Sequence, residues 1–186
     1  MGSEKICEYL FHEFGARMPD HHVKSHIHRN AWHLDIILKG KAVFFHDGDK
    51  LVLDEWESIL IPAGIRHAFN YGKNPVSYIS VKFVCSDTEK LTRPTPFNRN
   101  GIGTPIVNAL TMYLQNSRIP SLLERKIIGS LLNAILDIAD MQILQEESSP
   151  VSSFETACGF IESRINKAIS VHDVALHAGY SSRYLN

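Results

Sequence analysis

The first 87 residues alternate short apolar runs with residues that favour turns. The runs lie at 36–38, 42–45, 51–53, 58–61 and 78–84, and Gly, Pro, Asn and Asp separate them. Short β-branched and aromatic runs at such close spacing are typical of an antiparallel sandwich or barrel. The N-terminal part is therefore predicted to be all-β.

From Thr104 the spacing of apolar residues becomes helical, and a first helix is predicted to end near Asn116. A longer helix is predicted from about Ser121 to Glu146. One of its faces carries Leu123, Ile127, Leu131, Ile135, Ile138 and Met141, and a neighbouring row widens that face. So wide an apolar face favours a helix that packs on its own barrel and also on a second subunit; a helix buried only in its own core is the alternative.

Residues 145–153 are polar and rich in Ser, as expected of a linker between domains. A further helix is predicted from Phe154 to about Ala168. After it, Ser170 is placed to cap a short helix together with Asp173 three residues on. Gly179 would allow a turn, and Ser181 or Ser182 would cap another helix. This spacing fits a helix-turn-helix that binds DNA, and it also fits an ordinary helical hairpin.

The C-terminal segment resembles the first helix-turn-helix of the AraC/XylS family of transcription regulators. The matching positions are Val171, Val174, Ala175, Gly179, Tyr180, Ser181, Tyr184 and Leu185, and Ile161 and Ile165 resemble the preceding helix. The resemblance implies that Ser181, Ser182 and Arg183 lie near DNA. It also implies that the sequence stops inside the first recognition helix, so DNA would be bound through the full-length protein.

The resemblance extends over nearly the whole chain. It implies a cupin-like antiparallel β-barrel with an N-terminal arm at 1–100, a helical dimerisation segment at 101–147, a linker at 148–153 and the start of a helix-turn-helix domain at 154–186. The dimerisation residues would be Leu123, Ile127, Leu131, Ile135 and Ile138. His12, His21 and His22 would lie in the arm, which closes over a bound effector in this family.

Two histidine-containing segments are similar to the motifs of metal-binding cupins. His26-x-His28 is followed by His33, where those cupins have an acidic residue, and then by Gly40. The second segment is Pro62-x-Gly64-x-x-His67, and Trp56 stands where such cupins have the glycine that opens this motif. The resemblance implies a set of four imidazoles: His26, His28, His33 and His67.

Residues at i and i+2 of a strand point to the same face, so His26 and His28 would lie side by side. Imidazole is a suitable ligand for Zn, Ni or Fe, and Asp35 would offset the charge of a dication. The alternative is that these histidines bind a ligand, water or the backbone without any metal. The predicted ligand-binding residues are Trp32, His33, Phe45, Trp56 and His67, with Tyr71 a further aromatic, although aromatics in a small barrel also serve as core. Alternation along the strand places Arg66 on the face opposite His67, exposed to solvent.

Composition gives no sign of strong binding to nucleic acid or to an anionic membrane, since the formal net charge is −1. Three widely spaced cysteines fit a reducing cytoplasm better than a disulfide scaffold. No apolar run approaches the roughly 20 residues of a membrane span. We therefore expect a cytoplasmic protein with no membrane partner.

Taken together, the sequence predicts the effector-sensing and dimerising part of an AraC-type transcription regulator rather than an enzyme. The expected partners are a small-molecule effector, for which a sugar is the family's common choice, a second copy of the chain, and DNA. The alternative is a metal-dependent cupin enzyme of the dioxygenase or isomerase type, because four histidines are more than one effector pocket needs.

Overall fold

The computed structural model describes residues 6–86, 91–116, 119–147, 150–164 and 170–177. The chain divides into two compact units, Met1–Ala139 and Asp140–Asn186. Within the described residues, nine strands, helix α1 and most of helix α2 belong to the first unit. The second unit contains the end of α2 and two shorter helices.

The strands of the first unit follow one another with short connections. They are β1 (Cys7–Arg17), β2 (His21–Ile27), β3 (Trp32–Lys39), β4 (Ala42–His46), β5 (Asp49–Leu53), β6 (Ser58–Ile61), β7 (Arg66–Tyr71), β8 (Val76–Cys85) and β9 (Thr95–Phe97). They form a five-stranded sheet in the order β1-β8-β3-β6-β9 and a four-stranded sheet in the order β2-β7-β4-β5. Each pairing between neighbours is antiparallel.

The antiparallel β fold predicted from the alternating runs is confirmed. A core cluster takes apolar side chains from both sheets, including Ile37 and Ile59 from the first and Phe44 and Phe69 from the second. Along β7 the exposed Arg66 alternates with buried positions, as predicted. Strand β9 was not predicted, since Thr95–Phe97 is short and contains a proline.

Positive φ angles at two points in the connections between strands account for the residue types expected there. The turn between β4 and β5 has φ of 48° at Asp47 and 90° at Gly48, which is the pattern of a tight type I′ hairpin. Trp56 has φ of 67° and its N–H donates to the carbonyl of Ile37 at 2.7 Å. This left-handed conformation favours glycine, the residue that metal-binding cupins place at this point.

Helix α1 covers Thr104–Asn116 and helix α2 covers Leu122–Glu147, close to the predicted bounds. Ser121 caps α2: its backbone N–H donates to the Glu124 carboxylate at 2.6 Å, and Glu124 N–H donates back to the Ser121 hydroxyl. Close approach to β1 requires Gly129, because a Cβ there would lie 2.8 Å from the carbonyl oxygen of Cys7.

The apolar residues of α2 divide between a buried and a more exposed face. Its buried residues within the first unit are Ile128, Leu132, Ile135, Leu136 and Ala139. Among the predicted dimerisation residues, Leu123 and Ile127 are exposed, Leu131 and Ile138 are half-buried, and Ile135 is fully buried. The assignment of Ile135 to a dimer interface is therefore corrected, because its side chain is already covered by its own chain.

One segment of the described chain, Leu122–Gln145, is long and apolar enough to cross a membrane, with a mean hydropathy of 1.6. This differs from the expectation that no such run exists, since Asp137 and Asp140 are the only charged residues of the sequence between Ile127 and Gln145. The test is weak evidence, because a helix in the core of a water-soluble protein also meets it. In this helix, 33% of the most apolar stretch of 18 residues is buried.

In the second unit, helix α3 covers Pro150–Ser163 and helix α4 covers Val171–His177. The predicted linker at 148–153 is too long, because α3 already begins at Pro150, a residue suited to the first turn of a helix. The predicted cap of α4 is present: Asp173 N–H donates to the Ser170 hydroxyl at 3.2 Å, and Ser170 N–H donates to the Asp173 carboxylate at 3.0 Å. Gly179 and the second helix of the expected helix-turn-helix lie outside the described residues.

Candidate functional site

A cavity of about 320 Å³ lies between the two sheets of the first unit. Its walls come from strands β1, β3 and β8 of one sheet and from β2 and β7 of the other, together with the loop after β2. Most side chains that line it are polar. The cavity is therefore a candidate site for a polar ligand or a metal ion.

Antiparallel register brings two polar pairs together on the five-stranded sheet. His33 of β3 lies opposite Lys82 of β8, and Asp35 lies opposite Ser80. His33 and Asp35 are two residues apart, as are Ser80 and Lys82, so all four side chains point to one face. That face lines the cavity.

The facing sheet supplies the remaining histidines. His26 of β2 lies directly opposite His67 of β7, beyond an irregularity in the register of these strands between Val23 and His26. His28 follows the end of β2, and its carbonyl oxygen accepts a hydrogen bond from Gly64 N–H at 2.8 Å. This bond ties the two histidine-containing segments to each other.

Three of the four predicted metal ligands converge. His26, His28 and His67 each offer a ring nitrogen, and these nitrogens all lie within 4.8 Å of one another. The ring centroids of His26 and His67 are 4.4 Å apart, and those of His26 and His28 are 4.8 Å apart. Small side-chain adjustments would bring such a group to the distances of about 2.0–2.1 Å at which imidazoles bind Zn.

Backbone carbonyls fix the orientation of two of these rings. His26 Nδ1–H donates to the carbonyl of Lys24 at 2.9 Å, and His67 Nδ1–H donates to the carbonyl of Ile65 at 3.0 Å. A neutral imidazole with its proton on Nδ1 has a lone pair on Nε2. The Nε2 atom of His67 is buried and has no hydrogen-bond partner among the described residues. This is the arrangement in which histidine binds a metal through Nε2.

His33 has a different role from the one predicted. Its ring lies 3.7 Å from that of His28, but its Nδ1 accepts a hydrogen bond from Lys82 Nζ at 2.6 Å. Lys82 also donates to the Ser80 hydroxyl at 2.8 Å. The structure therefore brings His26, His28 and His67 into one group and pairs His33 with a lysine.

Burial lowers the pKa of three cavity histidines, His28, His33 and His67, and so favours their neutral form. Burial, together with the smaller effect of the positive charge of Lys82, lowers the pKa of His28 to about 4 and that of His33 to about 2. Burial also lowers the pKa of His67, against the opposing effect of its hydrogen bond to Ile65. The pKa of Lys82 is itself lowered by burial, an effect that Asp35 opposes. Neutral imidazoles are the form that binds metal ions.

The family of AraC-like ligand binding domains matches residues 14–152, which include the cavity and helix α2. This chain belongs to the AraC-like ligand binding domain family. No curated protein sequence matches it significantly.

Several solved structures are similar to this chain. ToxT from Vibrio cholerae is similar with a TM-score of 0.51 and 9% identity, over 96% of this chain and 73% of that one. YhaK from Escherichia coli has a TM-score of 0.45 and 12% identity, over 50% and 44% of the two chains. An oxalate decarboxylase predicted in Thermotoga maritima has a TM-score of 0.39 and 19% identity, over 41% and 68%. The ToxT comparison shows the fold alone, and the other two scores are too low to support an argument.

The cavity is lined by only some of the predicted ligand-binding residues. His33, His67 and Tyr71 line it, as does Asp35. Trp32 is instead buried in the core with its ring 6.1 Å from that of Phe83.

Two further predicted ligand-binding residues, Phe45 and Trp56, are partly exposed and are not among the residues that line the cavity. The expected arm also differs, because His12 lies in β1, and His21 and His22 lie in β2, all in paired strands. Of the predicted DNA-binding positions, Ser181, Ser182 and Arg183 lie outside the described residues.

Sequence reasoning missed two cations of the cavity, Lys82 and Arg17. Lys82 stands in the middle of an apolar strand, between Val81 and Phe83, where a charged residue needs a partner. A lysine between two apolar residues of a predicted strand was therefore a signal that the sequence already contained. Arg17, at the end of β1, had no comparable signal.

The lowered pKa values predict how stability depends on pH in metal-free protein. Unfolding returns the histidines to a pKa near 6.5, so below that pH the unfolded chain binds more protons than the folded one. Stability should be fully present above pH 6.5 and fall as the pH is lowered from 6.5 toward 4. Urea unfolding at several pH values in the presence of a chelator measures this dependence.

The variant His33→Leu removes one of these protonation sites and should flatten the dependence. Replacement of the exposed His22 by glutamine serves as the matched control. An equal slope in His33→Leu and in the parent protein would contradict the assignment of His33 as a buried neutral imidazole.

Proposed function

We propose that this chain is the effector-sensing and dimerising part of an AraC-type transcription regulator and that the histidine-lined cavity is its effector site. The family supports ligand sensing. The observation that carries the proposal is the set of buried polar groups in one cavity, with the free Nε2 of His67 among them. Buried polar atoms without partners are costly, so they are a strong indication that something else binds them.

The same strand that lines the cavity also contacts helix α2. Glu13 and Arg17 of β1 face the cavity. At the other end of β1, Cys7 N–H donates to Asn133 Oδ1 at 2.9 Å, and Arg125 Nη2 donates to the carbonyl of Leu10 at 3.0 Å. An effector that binds two arrangements of β1 with different affinity would thereby change the position of α2.

We further propose that His26, His28 and His67 hold a divalent transition metal, Zn, Ni or Fe. The residues fit such an ion, because two rings have their Nδ1 protons bound by carbonyls and burial keeps His28 and His67 neutral. Asp35 lines the same cavity from the five-stranded sheet and would offset part of the ion's charge. When bound, the metal would supply a Lewis acid to which an effector oxygen binds.

Untagged protein should bind one equivalent of Zn or Ni, because three imidazoles converge on one point. His26→Ala and His67→Ala should each lower the affinity at least tenfold, since each removes one of three ligands. Calorimetric titration and elemental analysis after dialysis measure both quantities.

His22→Ala is the matched control, because His22 is an exposed histidine of the same strand, β2. Its affinity should equal that of the parent protein. Absence of stoichiometric metal in the parent, or equal loss in all three variants, would contradict the metal site.

We also propose that α2 pairs with the α2 of a second copy. Its exposed apolar residues near the N-terminal end are Leu122, Leu123 and Ile127, with relative exposures of 75%, 69% and 37%. Leu131 and Ile138 continue this face as half-buried positions. Exposed apolar side chains grouped on one helix are typical of a helix–helix interface.

The chain should sediment as a dimer at micromolar concentration, and the double variant Leu123→Arg/Ile127→Arg should sediment as a monomer, since it places charge in an apolar interface. Met112→Arg is the control, because Met112 is an exposed residue of the neighbouring helix α1. Sedimentation velocity distinguishes the species. A double variant that remains dimeric would show that this face is not the interface.

The second candidate function is a metal-dependent cupin enzyme. The observation that favours it is the number of grouped imidazoles: three protein ligands leave coordination positions open for a substrate, as in catalytic metal sites. The regulator is preferred because the family assignment includes helix α2, which has no part in such catalysis. A promoter response to the effector that His67→Ala abolishes would support the regulator, and substrate turnover without DNA would support the enzyme.

A further inference from the structure

Four polar groups in the cavity wall each have one atom without a hydrogen-bond partner among the described residues. These atoms are Arg17 Nε, His33 Nε2, Asp35 Oδ1 and His67 Nε2. His33 and His67 are 2% exposed and Asp35 is 8% exposed. Buried polar groups in folded proteins are nearly always paired. Unpaired atoms grouped at one cavity therefore indicate which donors and acceptors a ligand would supply.

The hydrogen bonds already made define which of these atoms donate. Protonated Lys82 can only donate, so His33 accepts at Nδ1 and the proton of its neutral ring lies on Nε2. The Nε atom of Arg17 is also a donor. Two unpaired donors therefore face the cavity from β3 and β1.

Asp35, in contrast, presents an unpaired acceptor to the cavity. Its carboxylate oxygen Oδ1 accepts, so it needs a hydroxyl or another donor from the ligand. It lies two residues from His33 on the same strand and opposite Ser80 on β8. A ligand that binds His33 with one oxygen can therefore reach Asp35 with a neighbouring hydroxyl.

The charged side chains that line the cavity favour an anionic ligand. They are the cations Arg17 and Lys82, the buried Asp35 and the exposed Glu13. Water solvates the exposed Glu13, so among the described residues that line the cavity Asp35 is the one buried charge opposite to that of the half-buried Lys82. A bound carboxylate would give the half-buried Arg17 a charged partner with the planar geometry that a guanidinium prefers.

We propose that the effector is a small hydroxycarboxylate, whose carboxylate is bound by Arg17 and whose hydroxyl oxygens bind Asp35 and His33. This inference rests on the proposed effector site and specifies its ligand class. A cavity of about 320 Å³ is at the small end of ligand pockets and suits an acid of the size of lactate or gluconate.

The experiment compares matched probes on metal-free, chelator-treated protein, so that chelation of a metal by the acid has no effect. D-Gluconate is compared with D-glucitol, and L-lactate with propane-1,2-diol, because each pair differs mainly in the carboxylate. At 100 times its dissociation constant, a binding acid should raise the melting temperature by about 5 to 10 °C. The neutral partner of each pair should cause a much smaller shift.

Variants locate the binding. Arg17→Met should weaken binding of the acid about 10- to 100-fold, as expected for loss of a charge-assisted hydrogen bond, and Asp35→Asn should weaken it less. Arg99→Met is the control, because Arg99 is exposed and does not line the cavity. Circular dichroism of each variant shows whether it is folded.

Each outcome decides the inference. Stabilisation by an acid that depends on Arg17 supports it. If only a neutral probe stabilises the protein and Asp35→Asn removes that effect, the effector site stands but its ligand is not an anion. If neither acid shifts the melting temperature, or if Arg99→Met weakens the acid as much as Arg17→Met, the hydroxycarboxylate assignment is overturned.

Discussion

Two hydrogen bonds to backbone carbonyls determine what the cavity can do. His26 and His67 each donate Nδ1–H to the carbonyl two residues earlier in the chain, Lys24 and Ile65. These bonds orient the rings and leave the Nε2 lone pairs available. Because the acceptors are backbone atoms of the strands or their ends, the orientation depends on the sheet and not on another mobile side chain. The metal binding proposed for this protein depends on that arrangement.

The register of the strands then decides which histidine takes which role. His33 lies opposite Lys82 and is bonded to it, whereas His67 lies opposite His26. The same residue type therefore serves two purposes in one cavity. On the five-stranded sheet, the bond from Lys82 leaves Nε2–H of His33 as a donor for a ligand. On the four-stranded sheet, His26 and His67 have Nε2 lone pairs that could bind a metal ion.

The sequence predicts the β fold, the bounds of α1 and α2 and the cap at Ser170 because these features depend on local periodicity and local hydrogen bonds. It also predicts that His26, His28 and His67 come together, through their spacing in two motifs. The pairing of His33 with Lys82 depends on the alignment of strands 49 residues apart, which periodicity does not specify. The burial of Ile135 likewise depends on which side of α2 faces the sheet, because an apolar stripe does not say what covers it.

The most direct measurement is the tautomeric state of the cavity histidines in metal-free protein, read from long-range ¹H–¹⁵N correlation spectra at neutral pH. The account predicts a proton on Nδ1 of His26 and His67 and on Nε2 of His33, with the rings of His33 and His67 neutral. Addition of Zn should shift the Nε2 resonances of His26 and His67. Protons on Nε2 of His26 and His67 in the metal-free protein, with no change when Zn is added, would contradict it.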